Sequence, residues 1–188
     1  GEGAIKKHLT FGQSSHFLAL HDSTGIHASF AGDNNTLTYF EKLCILVVSS
    51  ALKTTEVSLQ SKKILLILST TKGNVDLLLS NSFSEERVYL HESAKRIQSY
   101  LKLANKPLIV SNACTSGVVA LNTATELLIS NMYETVIICG ADLVSEFTLS
   151  GFESFKALSG QPCRPFDAQR DGTSLGEGAG AIVLSTKQ

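Results

Sequence analysis

The chain has 188 residues, of which 43% are hydrophobic and 18% charged, enough apolar side chain for a buried core in one domain and too much for a disordered segment. The formal net charge is −1 and basic residues gather only in pairs such as Lys6-Lys7 and Lys62-Lys63, so no positive stripe offers itself to a nucleic-acid backbone. No apolar run approaches the roughly 20 residues that cross a bilayer, and the first residues lack the apolar stretch of a secretion signal, so neither a membrane nor export is expected and a cytoplasmic location is the default.

In chain order, residues 1–35 are rich in His, Ser, Gly and Asn without a clean period, and are read as irregular structure or short strands. Phe40, Leu43, Cys44, Val47, Val48 and Ala51 then repeat at i, i+3, i+4, i+7, i+8 and i+11, the stripe of a helix lying on a core. Ile64 to Leu68 are all apolar, which suits a strand covered on both faces. Ala94, Ile97, Leu101 and Ala104 mark a second helix closed by Pro107, and Leu108, Ile109 and Val110 a second strand. Val118, Leu121, Thr125 and Leu128 space out a third helix, and "ETVIICG" supplies a third strand. Alternation of strand and helix predicts an α/β fold with a mainly parallel sheet. From residue 150 a long segment dense in Gly, Pro and charge leads to Ala181, Ile182, Val183 and Leu184, which return to the sheet; a loop of this length in a compact domain is usually functional.

The four cysteines, 44, 114, 139 and 163, stand 70, 25 and 24 residues apart, which fits neither a zinc knuckle nor a disulfide scaffold. Cys44 and Cys139 lie in apolar runs and read as core, and Cys163 as loop packing. Cys114, in "SNACTSG", is different. It falls where a strand gives way to a helix, and free N–H groups at a helix start favour a thiolate and can hold an oxyanion. Small neighbours, Ala113, Ser116 and Gly117, leave room for a tight turn and a substrate. Against this stands the common fate of a free cysteine, which is to be a small buried residue.

Gly176, Gly178 and Gly180 are not a dinucleotide fingerprint, because a strand rather than a helix follows them; they read as places where backbone passes close to another segment. Arg164, Asp167, Arg170, Asp171 and Glu177 read as a partly buried ion-pair network shaping the loop. The five histidines, 8, 16, 21, 27 and 91, fit no metal spacing, and no metal or cofactor is expected.

"NACTSGVVAL", "GFESFKALS" and "PCRPFDAQRDGTSLGEGAGAIVL" resemble, in this order, the active-site cysteine segment and downstream blocks of β-ketoacyl-[acyl-carrier-protein] synthases of the thiolase-like superfamily, over about residues 64–187. The resemblance implies that residues 1–188 are the N-terminal half of such an enzyme, a layered αβα unit with a mixed, mainly parallel sheet. It implies that Cys114 accepts an acyl group as a thioester for decarboxylative condensation with malonyl-carrier protein, in fatty-acid or polyketide synthesis. Acyl carrier protein is then a partner, in a homodimer or heterodimer of synthase subunits. Thr115 stands where many relatives carry Ser, and Asn105 where the usual signature has Gly. Two histidines that assist decarboxylation belong to the family's second half and have no counterpart in the five here, so condensation by this chain alone is not expected. The alternatives are a non-catalytic partner resembling chain-length factors, which usually lack the cysteine, and a thiolase acting on coenzyme A thioesters.

Overall fold

The computed structural model describes residues 4–11, 14–21, 23–30, 36–80 and 82–186. The chain begins with an antiparallel hairpin of β1 (Ala4–Phe11) and β2 (Ser14–His21), paired from Ala4 with His21 to Phe11 with Ser14, in a sheet of its own. A short helix α1 (Ser23–Ser29) follows, from which Ile26 reaches the main core together with Phe30 just beyond it.

Helix α2 (Tyr39–Leu52) starts at a capping box that its sequence dictates. The Thr38 hydroxyl accepts the Glu41 N–H at 3.2 Å, and the Glu41 carboxylate accepts the Thr38 N–H at 2.9 Å. Then come β3 (Ile64–Ser69), α3 (Leu90–Leu101), β4 (Leu108–Val110), α4 (Ser116–Ile129), β5 (Thr135–Asp142), α5 (Glu146–Ser154) and β6 (Gly178–Ser185). The sheet order is β4-β3-β5-β6, with β3 parallel to β4 and β5, and β6 antiparallel to β5, so the sheet is mixed and mainly parallel.

Two-residue alternation along the strands divides the core between two faces. Leu66, Leu68, Ile137 and Cys139 pack with Phe40, Cys44 and Val48 of α2 on one side. Leu65, Ile67, Val136 and Ile138 pack with Ala120, Ala124 and Leu128 of α4 on the other. Helices on both faces of one sheet make the αβα sandwich expected of this pattern. Cys44 and Cys139 are buried in it, and burial pushes the Cys44 thiol well above its usual range, with Cys139 adding to the effect.

Two helices differ from their sequence-based reading. Helix α3 ends at Leu101, before Ala104, because Lys102 turns left-handed at φ 55° and Ala104 gives its N–H to the Leu59 carbonyl at 3.2 Å. Pro107 therefore follows the end and does not cause it. On α4 the buried stripe is Ser116, Ala120, Ala124 and Leu128, whereas Val118 is 61% exposed and Thr125 exposed as well. Small residues let the helix lie close to the sheet, and they carry too little hydrophobic signal to compete with the valine and leucines beside them.

A buried polar network, absent from the sequence reading, ties α2 to the segment after β3. Arg87 meets Glu41 at 2.6 Å with both side chains buried. Asn74 accepts the Thr38 hydroxyl at 2.8 Å and donates to the Arg87 carbonyl and the Ser93 hydroxyl, each at 2.9 Å. The Arg87 guanidinium also lies 4.7 Å from the Phe83 ring centroid.

Candidate active site

Parallel strands β3, β4 and β5 direct their C-terminal ends to one edge of the sheet, where ligands of open α/β sheets collect. Ser69 and Thr70 arrive from β3, Gly140 to Asp142 from β5, and the segment carrying Cys114 from β4. After Val110 the chain enters a single 3₁₀ turn, Ala113–Thr115, that runs directly into α4.

Ala113 takes φ 47°, left-handed for a residue with a Cβ, a conformation that costs on the order of 1 kcal/mol and holds only where its surroundings enforce it. Ser116 enforces it from below: its hydroxyl accepts the Asn112 N–H and donates to the Ala113 carbonyl, both at 2.8 Å. Thr115 closes the other side, donating its hydroxyl to the Asn112 carbonyl at 2.8 Å and accepting from Asn112 Nδ2 at 2.9 Å. A serine hydroxyl could make the same two bonds, so the Thr115 departure from the usual signature changes little. Asn105, the other departure, is used structurally, donating to the Lys62 carbonyl at 2.9 Å and the Ile64 carbonyl at 2.7 Å.

The turn leaves Cys114 exposed. It lines a hollow of about 450 Å³ together with Thr70, Ser116, Asp142, Gly176 and Gly178. A second hollow of about 440 Å³ shares Cys114, Ser69, Gly117, Gly140 and Gly180 and is otherwise apolar, with Val118, Leu121, Ile138 and Ile182. Cys114 thus borders two recesses, one holding Thr70 and Asp142 and one more apolar, in the turn that leads into a 14-residue helix; the Thr115 and Ser116 N–H groups of that turn are given to the Asn112 and Ala113 carbonyls.

Two sequence readings are corrected around this site. Gly178 and Gly180 of "GEGAG" are not squeezed by another segment: a Cβ on either would meet nothing within 4 Å, and both form a wall of the hollow. Close approach occurs instead at Gly172, where a Cβ would lie 2.6 Å from the Leu158 carbonyl carbon and the Ser159 nitrogen. Of the five charged residues read as a partly buried network, Arg164, Asp167, Arg170 and Asp171 are exposed, and Glu177 is half-buried. Arg164 and Asp167 are exposed and 4.0 Å apart, and Arg170 donates to the Asp167 carbonyl at 3.0 Å, because nothing in the described residues covers the loop. Asp171 is held by the Ser159 hydroxyl at 2.6 Å, which keeps its carboxyl below the ordinary range, with Arg164 adding to the effect.

Cys163 is half-buried, its N–H bonded to the Ser174 hydroxyl at 3.2 Å. His91 is exposed and stacked on Tyr89 at 5.6 Å, while the side chains of His8, His16, His21 and His27 lie outside the described residues. Among the described residues no three His, Cys, Asp or Glu side chains gather to hold a metal, and no helix is long and apolar enough to cross a membrane. Sequence reasoning missed Thr70 and Asp142 in the hollow and Lys72 beside it; the available signal was their position at the C-terminal ends of parallel strands.

Comparison with known proteins agrees with this architecture. Residues 91–188 match the family model "Beta-ketoacyl synthase, N-terminal domain". The tetracenomycin polyketide synthase ketoacyl synthase alpha subunit of Streptomyces glaucescens is 39% identical over 84 residues, 40% of this chain and 20% of that protein. The 3-oxoacyl-[acyl-carrier-protein] synthase 2 of Rhizobium meliloti is 36% identical over 83 residues, 40% of this chain and 20% of that protein. Among solved structures, the ketosynthase from module 6 of the bacillaene synthase of Bacillus subtilis superposes with a TM-score of 0.73 at 21% identity, covering 90% of this chain and 32% of that one. A ketosynthase in complex with its chain length factor from Xenorhabdus doucetiae gives 0.70 at 20% identity, covering 98% and 50%. The chain therefore spans half or less of the length of these relatives. With more than half of its residues matched by the family model, and a fold shared with ketosynthases, the chain belongs to the β-ketoacyl synthase family and carries that family's N-terminal domain.

Proposed function

We propose that Cys114 is the nucleophile of a β-ketoacyl synthase. Its thiolate attacks the carbonyl of an acyl-carrier-protein thioester, the new C–S bond forms, and the oxyanion accepts a hydrogen bond from the backbone N–H of Cys114 itself. The carrier's thiolate then leaves and takes up a proton. The acyl group so held accepts the carbanion equivalent released when malonyl-carrier protein loses carbon dioxide. Among the described residues none that lines the two hollows is a histidine, and the histidines that assist decarboxylation in this family would come from elsewhere. The observation that carries this reading is an exposed thiol on a braced, left-handed turn at a helix start, facing a recess on either side.

The presence of Cys114 favours this reading over that of a non-catalytic partner, which usually lacks the cysteine. The test offers the protein acyl-carrier-protein and acyl-coenzyme A thioesters side by side and follows transfer of labelled acyl group. Transfer from the carrier thioester, lost in Cys114→Ala, is the expected result. Transfer from coenzyme A alone would favour a thiolase, and no transfer from either would favour the non-catalytic partner.

A further inference from the structure

We propose that Lys72 is a specificity-determining residue of the Cys114 hollow: by neutralising Asp142 it lets a substrate that carries a free carboxylate approach the thiol. The inference rests on the reading of Cys114 as nucleophile. Among the described residues Asp142, the last residue of β5, is the one carboxylate lining the first hollow. Both of its oxygens are engaged. Oδ1 accepts the Thr70 hydroxyl at 3.0 Å, and Oδ2 lies 3.2 Å from the Lys72 ammonium group.

The clamp is built rather than incidental. Thr70 is buried, its N–H is bonded to the Val110 carbonyl at 3.2 Å, and its hydroxyl accepts the Gly73 N–H at 3.1 Å, which folds the chain back so that Lys72 faces Asp142. A second bond, from the Lys72 ammonium to the Thr71 hydroxyl at 3.2 Å, fixes the long side chain. Lys72 and Asp142 remain 28% and 39% exposed, so their field reaches the hollow but is screened by salt over a distance of about 10 Å at 0.1 M.

With the pair intact the charge that Asp142 brings to the recess is compensated by Lys72. Without Lys72 the recess carries an uncompensated negative charge beside the nucleophile, which repels anionic reactants and leaves neutral ones alone. In the function proposed above the anionic reactant is the malonyl extender, so what the clamp adds is the residue, Lys72, that compensates Asp142 while the extender's carboxylate enters the hollow.

Two alkylating agents of similar size read this charge directly: iodoacetate is anionic and iodoacetamide neutral, and each forms a C–S bond to the thiolate with loss of iodide. Their second-order rates at Cys114 are measured on the intact protein at low and high salt, with the label located by peptide mass. Any change in thiol reactivity or in exposure of the turn affects both reagents, so the iodoacetate-to-iodoacetamide ratio isolates the charge. Lys72→Met should lower that ratio about threefold to tenfold at low salt, and less at high salt. Lys72→Arg should keep it near the parent value, and the double variant Lys72→Met, Asp142→Asn should restore it. An unchanged ratio in Lys72→Met, or one that the double variant does not restore, overturns the proposal. Failure of both reagents to label Cys114 in the parent protein overturns the nucleophile reading and this proposal with it, and it shows in the absolute rates, so the two failures are told apart.

Discussion

Single side chains decide whether the turn at Cys114 keeps its shape. Ser116 has one hydroxyl serving two backbone groups, so Ser116→Ala removes the donor and the acceptor that hold Asn112 and Ala113 in place. The expected loss is about 1–3 kcal/mol of stability, read from urea unfolding, together with slower labelling of Cys114 as the left-handed turn relaxes. Asp76 makes a different prediction. Burial, followed by the charge of Glu177, pushes its carboxyl above the ordinary range, and its Oδ1 is buried without a hydrogen-bond partner. A raised carboxyl in the folded state contributes stability at acid pH that is lost as pH rises through the folded value. Asp76→Asn should therefore raise the urea midpoint at neutral pH and match the parent below the ordinary carboxylate range. A variant equally or less stable than the parent at pH 7 would contradict this.

At the scale of the element, the phase of α4 is the sharpest claim. Its core face includes Ala120 and Ala124, both fully buried, while Val118 is exposed and lines the apolar hollow. Ala120→Leu should overpack the helix against Leu65 and Ile67 and cost about 1–3 kcal/mol. Val118→Ser should stay within about 0.5 kcal/mol, and denaturant midpoints compare the two directly. The reverse ranking would mean that the hydrophobic stripe read from the sequence is the true core face. That reading holds at Leu121 and Leu128, which pack on the core, and went astray at Val118 and Thr125, because periodicity weighs large apolar residues and here Ala120 and Ala124 supply the closest contact with the sheet. In α2 and in β3 the same method succeeded, since Phe40, Cys44 and Val48 or Ile64 to Leu68 are both the most apolar residues and the buried ones. The end of α3 was not legible for a related reason: a lysine in the left-handed region carries no glycine or asparagine to announce it.

For the molecule as a whole, the sandwich was legible and the polar tertiary contacts were not. Strand and helix order fixes which edge collects the C-terminal ends of the parallel strands, and so where Cys114 must lie. Nothing local indicates that Glu41, Asn74, Arg87 and Ser93, separated by tens of residues, converge in one buried network. That network closes the segment after β3, which bears Lys72 and Thr70, onto α2. Arg87→Met leaves Glu41 buried without its ion partner and should cost about 3–5 kcal/mol in urea unfolding. A loss under about 1 kcal/mol would show that the pair contributes little to holding the segment.

The central claim is that acyl transfer ends on one sulfur among four. Cys44 and Cys139 are sealed in the core, whereas Cys114 and Cys163 are reachable to different degrees. Incubation with an acyl-carrier-protein thioester followed by peptide mass mapping distinguishes them in a single measurement. The account predicts one acyl adduct, on the peptide containing Cys114, absent from Cys114→Ala. An adduct on Cys163 instead, or an adduct that survives Cys114→Ala, would contradict it.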